Sequence, residues 1–122
     1  MNFQDIENTF FHATKKPITI RWVKHKLFDG RPASWCDGQE IFIRIKSHLP
    51  HELAHEFENV LGTEKAESFL GFDYEDECIK TFGEFSGYHE EDWAELAEPF
   101  VETWIIRTQN IAEYPSDSAK EV

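Results

Sequence analysis

Two histidines and an acid in the segment His51-Glu52-Leu53-Ala54-His55 carry the clearest chemistry in this sequence. Four residues make roughly one helical turn, so on a helix both imidazoles lie on one face and can bind one metal ion. Glu52 follows His51 directly and therefore lies beside that face, where it can take a proton from a water molecule on the metal. The pattern predicts that His51 and His55 bind zinc and that Glu52 is the catalytic base.

A catalytic zinc site usually has three protein ligands, so a third ligand must come from elsewhere in the chain. Two familiar extensions of the motif are missing, because Leu61 stands where a third histidine would fall and Ala66 where an aspartate would fall. A glutamate from a downstream helix remains, and Glu91 is our first candidate. The open alternatives are Glu90, Glu95, Glu98 and Glu102, or a set of acids that forms only a solvated helix face.

The segment Glu91-Asp92-Trp93-Ala94-Glu95 resembles the E-x-[FW]-A-E helix of zinc peptidases of the gluzincin type. Chain length and element order are also similar to the minigluzincins, very small domains of that type, over roughly residues 18–105. The resemblance implies that Glu91 is the third zinc ligand and that Glu95 hydrogen-bonds a zinc-binding histidine. It also implies an oxyanion donor, for which Tyr88 is the first candidate and His89 the second, although both could be ordinary loop residues.

Three further residues could bear on such a site. His48 lies one turn before His51 and could reach the metal, although a partly exposed residue of the first helical turn is the simpler expectation. Cys36 and Cys78 could block zinc as thiolates, but a buried apolar cysteine is the commoner case. The resemblance also implies possible latency, with the segment after Ile111 lying in the cleft.

Hydrophobic spacing and turn residues predict an α+β domain of residues 1–114 followed by a disordered tail of residues 115–122. We expect an N-terminal helix, a small antiparallel sheet of three or four strands, the HExxH helix and a downstream glutamate helix. Asp29-Gly30 and Asp37-Gly38 are typical of hairpin turns. Substrate would pair with an edge strand, either residues 39–45 or a neighbouring strand. The predicted helices are 3–13, 47–61, 63–70, 73–85 and 90–111, the last interrupted at Pro99, and the predicted strands include 18–23, 33–36 and 39–45.

The composition restricts the partners and the location. The formal net charge of −12 repels nucleic acids and anionic membranes, and no stretch approaches the ~20 apolar residues of a membrane span. The first residues show no signal-peptide pattern, and two cysteines do not form a disulfide scaffold. We therefore expect a cytoplasmic protein, a monomer or small homo-oligomer, that acts on a protein or peptide.

Three functions remain as hypotheses from the sequence. The first is a zinc metalloendopeptidase, active or latent, that hydrolyses peptide bonds through a zinc-bound water activated by Glu52. The second is a zinc-binding zymogen or pseudo-peptidase without turnover. The third is an acidic interaction protein, such as a DNA mimic, in which HExxH is coincidental; that hypothesis predicts Glu91 more than ~6 Å from both imidazoles, since zinc–ligand distances are near 2 Å.

Overall fold

The computed structural model describes residues 2–23, 27–28, 31–32, 34–37 and 39–115. A short 3₁₀ turn, Lys46–His48, leads into the second of five α-helices found within these residues. The helices are α1 (Phe3–Thr14), α2 (Leu49–Leu61), α3 (Thr63–Leu70), α4 (Tyr74–Phe82) and α5 (Glu90–Gln109), and the strands are β1 (Thr19–Trp22), β2 (Leu27–Phe28), β3 (Arg31–Pro32), β4 (Trp35–Asp37) and β5 (Glu40–Ile43).

The sheet differs from the prediction. Its order is β1–β5–β4, with β1 parallel to β5 and β4 antiparallel to β5, while β2 and β3 form a separate two-stranded ribbon. The predicted α+β fold with an antiparallel sheet of three or four strands is therefore wrong, and the described chain is mostly helical. Alternation of apolar residues identifies the face of a strand but not its neighbour, and the chain from β2 to β4 provides the crossover that a parallel pair needs.

Strand pairing shows where the two predicted hairpins fall. Asp29, Gly30 and Gly38 lie outside the described residues, but Phe28 pairs with Arg31 and Asp37 pairs with Glu40 on either side of them. Each pairing leaves two residues for the connection. The first two are the predicted Asp29-Gly30, whereas in the second Asp37 belongs to β4, so the connection is one residue later than the predicted Asp37-Gly38. β5 is the central strand, so β1 and β4 are the edges of the three-stranded sheet. Residues 39–45, which contain β5, are therefore not at an edge, and the edge positions belong to the neighbouring strands.

Local signals set most helix ends. The Asn2 side chain accepts a hydrogen bond from the Gln4 amide at the start of α1, and Asp73 does the same for the Asp76 amide at α4. Ser47, the predicted cap of the HExxH helix, lies instead within the 3₁₀ turn that precedes α2. α2 ends at Leu61, and the following residue, Gly62, has a φ of 86° that is unfavourable for residues with a side chain.

Two helix predictions need correction. The predicted helix 73–85 ends at Phe82, and of its expected buried face Cys78 is buried whereas Ile79, Phe82 and Phe85 are exposed. At Pro99 we expected a kink or a restart of the helix; the restart is not found, since α5 continues past that residue as one helix.

Packing of α2 against α5 positions the site. Fully buried alanines lie on both helices, Ala54 on α2 and Ala94 and Ala97 on α5. Small side chains at a helix contact allow the two backbones to approach closely. Short polar side chains on the two helices can therefore meet at the edge of this contact. The core beneath them includes Phe10 of α1, Ile41 and Ile43 of β5, Phe57 of α2 and Trp93 of α5.

The core position of α2 makes a testable prediction about stability. The Phe57 ring is fully buried and contacts the rings of Phe10, Phe69 and Trp104. We expect Phe57→Ala to lower the free energy of unfolding by about 3–5 kcal/mol, because it removes apolar contact and leaves a cavity. Phe82, at 52% exposure, is the matched control, and Phe82→Ala should change stability by about 0.5 kcal/mol or less. Similar losses in urea denaturation for both variants would contradict this core.

Candidate metal centre

His51, His55 and Glu91 come together in the structure. Glu91 Oε1 lies 2.7 Å from His55 Nε2 and 3.4 Å from His51 Nε2, and the two Nε2 atoms are 3.2 Å apart. The three residues form a cluster that could hold a metal ion. This confirms that the three predicted ligands meet, and the separation that the coincidental-motif hypothesis predicts is not found.

The distances suit a tetrahedral metal. Ligand atoms about 2.0–2.1 Å from zinc at tetrahedral angles are about 3.3 Å from one another. Two of the three distances in the cluster are close to that value, and the third is a shorter hydrogen bond between His55 and Glu91. The donor set, two imidazole nitrogens and one carboxylate oxygen, is one that zinc accepts in catalytic sites. The metal-free geometry therefore fits a zinc ion after a small movement of Glu91.

Exposure in the cluster is uneven. The side chains of His51 and His55 are 24% and 15% exposed, whereas that of Glu91 is 74% exposed. Although partial burial acts in the opposite direction, the charges of His55 and then His51 hold the pKa of Glu91 below its ordinary value. The carboxylate is therefore ionised and accessible, as a metal ligand at the edge of a cleft must be.

Glu98, and not Glu95, contacts a histidine of the cluster. Glu98 Oε2 lies 2.7 Å from His51 Nδ1, while Glu95 is exposed. Seven residues rotate a helix to about 20° short of two turns, whereas four residues carry it about 40° past one turn. Glu98 therefore lies more nearly in line with Glu91. On the other imidazole, Glu90 Oε2 approaches His55 Nδ1 to 3.7 Å.

The contact between Glu98 and His51 makes a prediction that separates the two acids. A carboxylate that holds the distal nitrogen of a metal-binding histidine typically contributes 10–100-fold to metal affinity. We expect Glu98→Gln to weaken zinc binding by about 10–100-fold and Glu95→Gln to change it less than about threefold. Competition with a zinc chelator measures both. The reverse order would restore the assignment that the gluzincin resemblance implies.

The same contact predicts that metal binding at this cluster depends on pH. The hydrogen bond that the Glu98 carboxylate accepts raises the pKa of His51 from 6.5 to about 9, although burial acts in the opposite direction. A histidine ligand must be neutral, so below pH 9 zinc has to displace this proton. We expect zinc affinity to rise by about tenfold per pH unit up to that pKa and then to level off. Zinc affinity that is flat from pH 7 to pH 9 would contradict the raised pKa.

Without zinc, the stability of the fold depends on pH in the opposite direction: the stability that the His51–Glu98 pair contributes falls as the pH rises. A histidine with a raised pKa stabilises the fold below its unfolded pKa, where both states carry the proton. The contribution of the His51–Glu98 pair is therefore complete below pH 6.5 and is lost as the pH rises through about 9.

Glu52 lies beside the cluster, partly buried in the wall of a cavity that His51 and Glu98 also line. Burial raises the pKa of Glu52 above its ordinary value, and the charges of His51 and His55 oppose this effect. A more basic carboxylate is a better proton acceptor at neutral pH, which is the property that a general base requires.

The two candidates for the oxyanion donor, Tyr88 and His89, make hydrogen bonds to residues outside the cluster. The Tyr88 hydroxyl donates a hydrogen bond to the Glu58 carboxylate, and Tyr88 is 49% exposed. Desolvation first, and then this hydrogen bond, raises the pKa of the Tyr88 phenol. His89 is exposed, and its backbone amide donates to the Tyr74 hydroxyl. Their oxyanion role remains a prediction, and for Tyr88 it requires release from Glu58.

Sequence reasoning did not find the cavity wall that lies outside α2 and α5. That wall consists of Ser34, Ser47 and His48, which come from the segment before β4 and from the 3₁₀ turn. No sequence motif joins Ser34 to the HExxH helix, so only the fold brings them together. Cys78 is a free, buried thiol on α4, and the side chain of Cys36 lies outside the described part of the chain.

The comparisons with known proteins leave the cluster as the main evidence. No protein-family model matches the chain, and neither a curated protein nor a solved structure gives a significant match. Of the features that suggested a gluzincin, the meeting of His51, His55 and Glu91 is the one that the structure supports.

No helix in the described residues has both the length and the apolar character needed to cross a bilayer.

Proposed function

We propose that this chain is a small zinc-dependent peptidase of the gluzincin type. His51, His55 and Glu91 would hold the zinc ion. The observation that carries the proposal is the convergence of one oxygen and two Nε2 atoms within 3.4 Å of one another, next to a partly buried glutamate that lines a cavity.

The roles of the residues follow from their positions. When bound, zinc would supply a Lewis acid that polarises a peptide carbonyl and makes water more acidic. Glu52 takes the proton from the attacking water and returns it to the leaving amine. Glu98 orients the His51 ring through Nδ1, so that Nε2 faces Glu91.

The experiment is a cleavage assay on an unfolded protein such as casein. We expect hydrolysis by the zinc-loaded protein, loss of hydrolysis after treatment with a chelator, and recovery when one equivalent of zinc is restored. Full zinc occupancy without cleavage would contradict the proposal that the complete chain hydrolyses peptide bonds.

A second candidate, a latent zymogen, is favoured by one contact near the C-terminus. The Tyr114 hydroxyl donates a 2.6 Å hydrogen bond to the carbonyl of Lys46, directly before Ser47 and His48 in the cavity wall. The chain therefore passes beside the cleft before it leaves the described residues. If this segment covers the site, removal of residues 112–122 at full zinc occupancy will produce cleavage where the complete chain gives none.

A further inference from the structure

The cavity beside the His51, His55 and Glu91 cluster is lined by polar and ionisable side chains. Its volume is about 550 Å³, within the range of small-molecule sites. We propose that this cavity is a substrate side-chain pocket that selects a cationic residue, lysine or arginine, next to the bond that is cleaved. The proposal rests on the proposed function and adds the class of substrate. The lining residues are Ser34, Ser47, His48, His51, Glu52 and Glu98.

The position of the cavity connects it to the reaction. His51 belongs both to the metal cluster and to the cavity wall, and Glu52, the proposed base, lies in the same wall. A peptide whose carbonyl lies at the cluster therefore extends a neighbouring side chain into this space. The cavity is thus the nearest described space in which the protein can distinguish one substrate from another.

The charges in the wall select the class of side chain. Glu52 and Glu98 provide two carboxylates, and none of the lining residues is lysine or arginine. Glu98 accepts a hydrogen bond from Nδ1 of His51. In the zinc-loaded protein the formal negative charges of Glu52, Glu91 and Glu98 exceed the two positive charges of the ion. An apolar side chain would desolvate these carboxylates without compensation, whereas an ammonium or guanidinium group would pair with them. The net charge of −12 further attracts cationic peptides.

The cavity wall outside α2 and α5 contains serine hydroxyls and an imidazole. The Ser34 hydroxyl accepts a 2.7 Å hydrogen bond from the Arg44 backbone amide and lies 2.6 Å from His48 Nδ1. The Ser34 hydroxyl therefore connects the backbone of Arg44 to the His48 ring. Ser34 and His48 therefore form a hydrogen-bonded polar wall, while the carboxylates of Glu52 and Glu98 line the cavity beside the His51 imidazole.

Binding of three small zinc-directed probes tests the pocket separately from turnover. The probes are the Nα-acetyl hydroxamates of lysine, norleucine and glutamate, measured by calorimetry on the zinc-loaded protein at low salt. Norleucine has the carbon chain of lysine without the amine. We expect the lysine probe to bind about tenfold more tightly than the norleucine probe, and the glutamate probe to bind most weakly. A norleucine probe that binds as tightly as the lysine probe would overturn the proposal.

Ser47 offers a matched pair of variants because it is exposed and lines the pocket. Ser47→Lys places an ammonium group at the carboxylates and should abolish the preference for the lysine probe. Ser47→Gln, of similar length but uncharged, should retain the order of the three probes. An unchanged lysine-to-norleucine ratio in Ser47→Lys would also overturn the proposal.

A zinc titration before the probes separates the two possible failures. If zinc binds and the hydroxamates bind without preference for lysine, the pocket assignment fails and the metal centre stands. If zinc does not bind, the proposed function fails and the pocket assignment fails with it.

Discussion

Replacing Glu91 with alanine is expected to weaken zinc binding by more than about 100-fold, since removal of a ligand should exceed the 10–100-fold effect of residues that only orient one. Glu91 Oε1 is the atom that contacts both Nε2 atoms, at 2.7 and 3.4 Å. Without it, two histidines four residues apart remain, and zinc loses its anionic ligand. Competition with a chelator at constant pH measures the change.

Glu90 is the matched control for this variant, because it is the adjacent acid on the same helix. Its carboxylate approaches His55 only at Nδ1, at 3.7 Å. We expect Glu90→Ala to weaken zinc binding by less than about tenfold. Equal effects of the two variants would show that the acidic surface attracts the metal without a defined third ligand.

Replacing Glu52 with glutamine is expected to lower the rate of peptide hydrolysis by about 10²–10⁴-fold, which is the usual contribution of a general base. The amide keeps the shape of the side chain but cannot accept the proton of water. Zinc content should remain the same, because Glu52 is not part of the His51, His55 and Glu91 cluster. The measurement is kcat on an unfolded protein at equal zinc occupancy.

Glu64→Gln provides the control for the same chemical change at an exposed position on α3. That variant should hydrolyse at the rate of the unmodified protein. If Glu52→Gln also retains the full rate, another group activates the water and the proposed mechanism is wrong. If Glu52→Gln loses zinc, the residue has a structural role that the present geometry does not show.

The central motif was predictable because its geometry is local. Helical spacing alone places His51 and His55 on one face of α2, and Pro50 and Gly62 indicate the two ends of that helix. Glu91 could also be proposed, since the alternatives for a third ligand were few. Its contact with both imidazoles depends on how α2 packs on α5, and the resemblance to gluzincins supplied that information.

The rest depends on contacts between segments distant in sequence. Glu98 supports His51 because α5 presents it nearly two turns from Glu91, and a five-residue motif suggested Glu95 instead. The parallel pairing of β1 with β5 could not be inferred from alternation, and the Asp-Gly turns favoured an all-antiparallel sheet. Ser34 joins the cavity from a segment with no recognisable motif.

Exposed apolar residues also limited the prediction. Ile79 and Phe82 have the spacing of a buried helix face, but they are 48% and 52% exposed. On α4 the residues that reach the core are Tyr74 and Cys78, one turn apart. Apolar periodicity identified a helix here, but it did not show which side of that helix faces the protein.

Native mass spectrometry of the purified protein tests the central claim, the metal centre, most directly. We expect one zinc ion per chain for the unmodified protein and none for His51→Ala, with both proteins folded. A zinc content below about half an equivalent after purification in zinc, with no difference between the two proteins, would contradict the account.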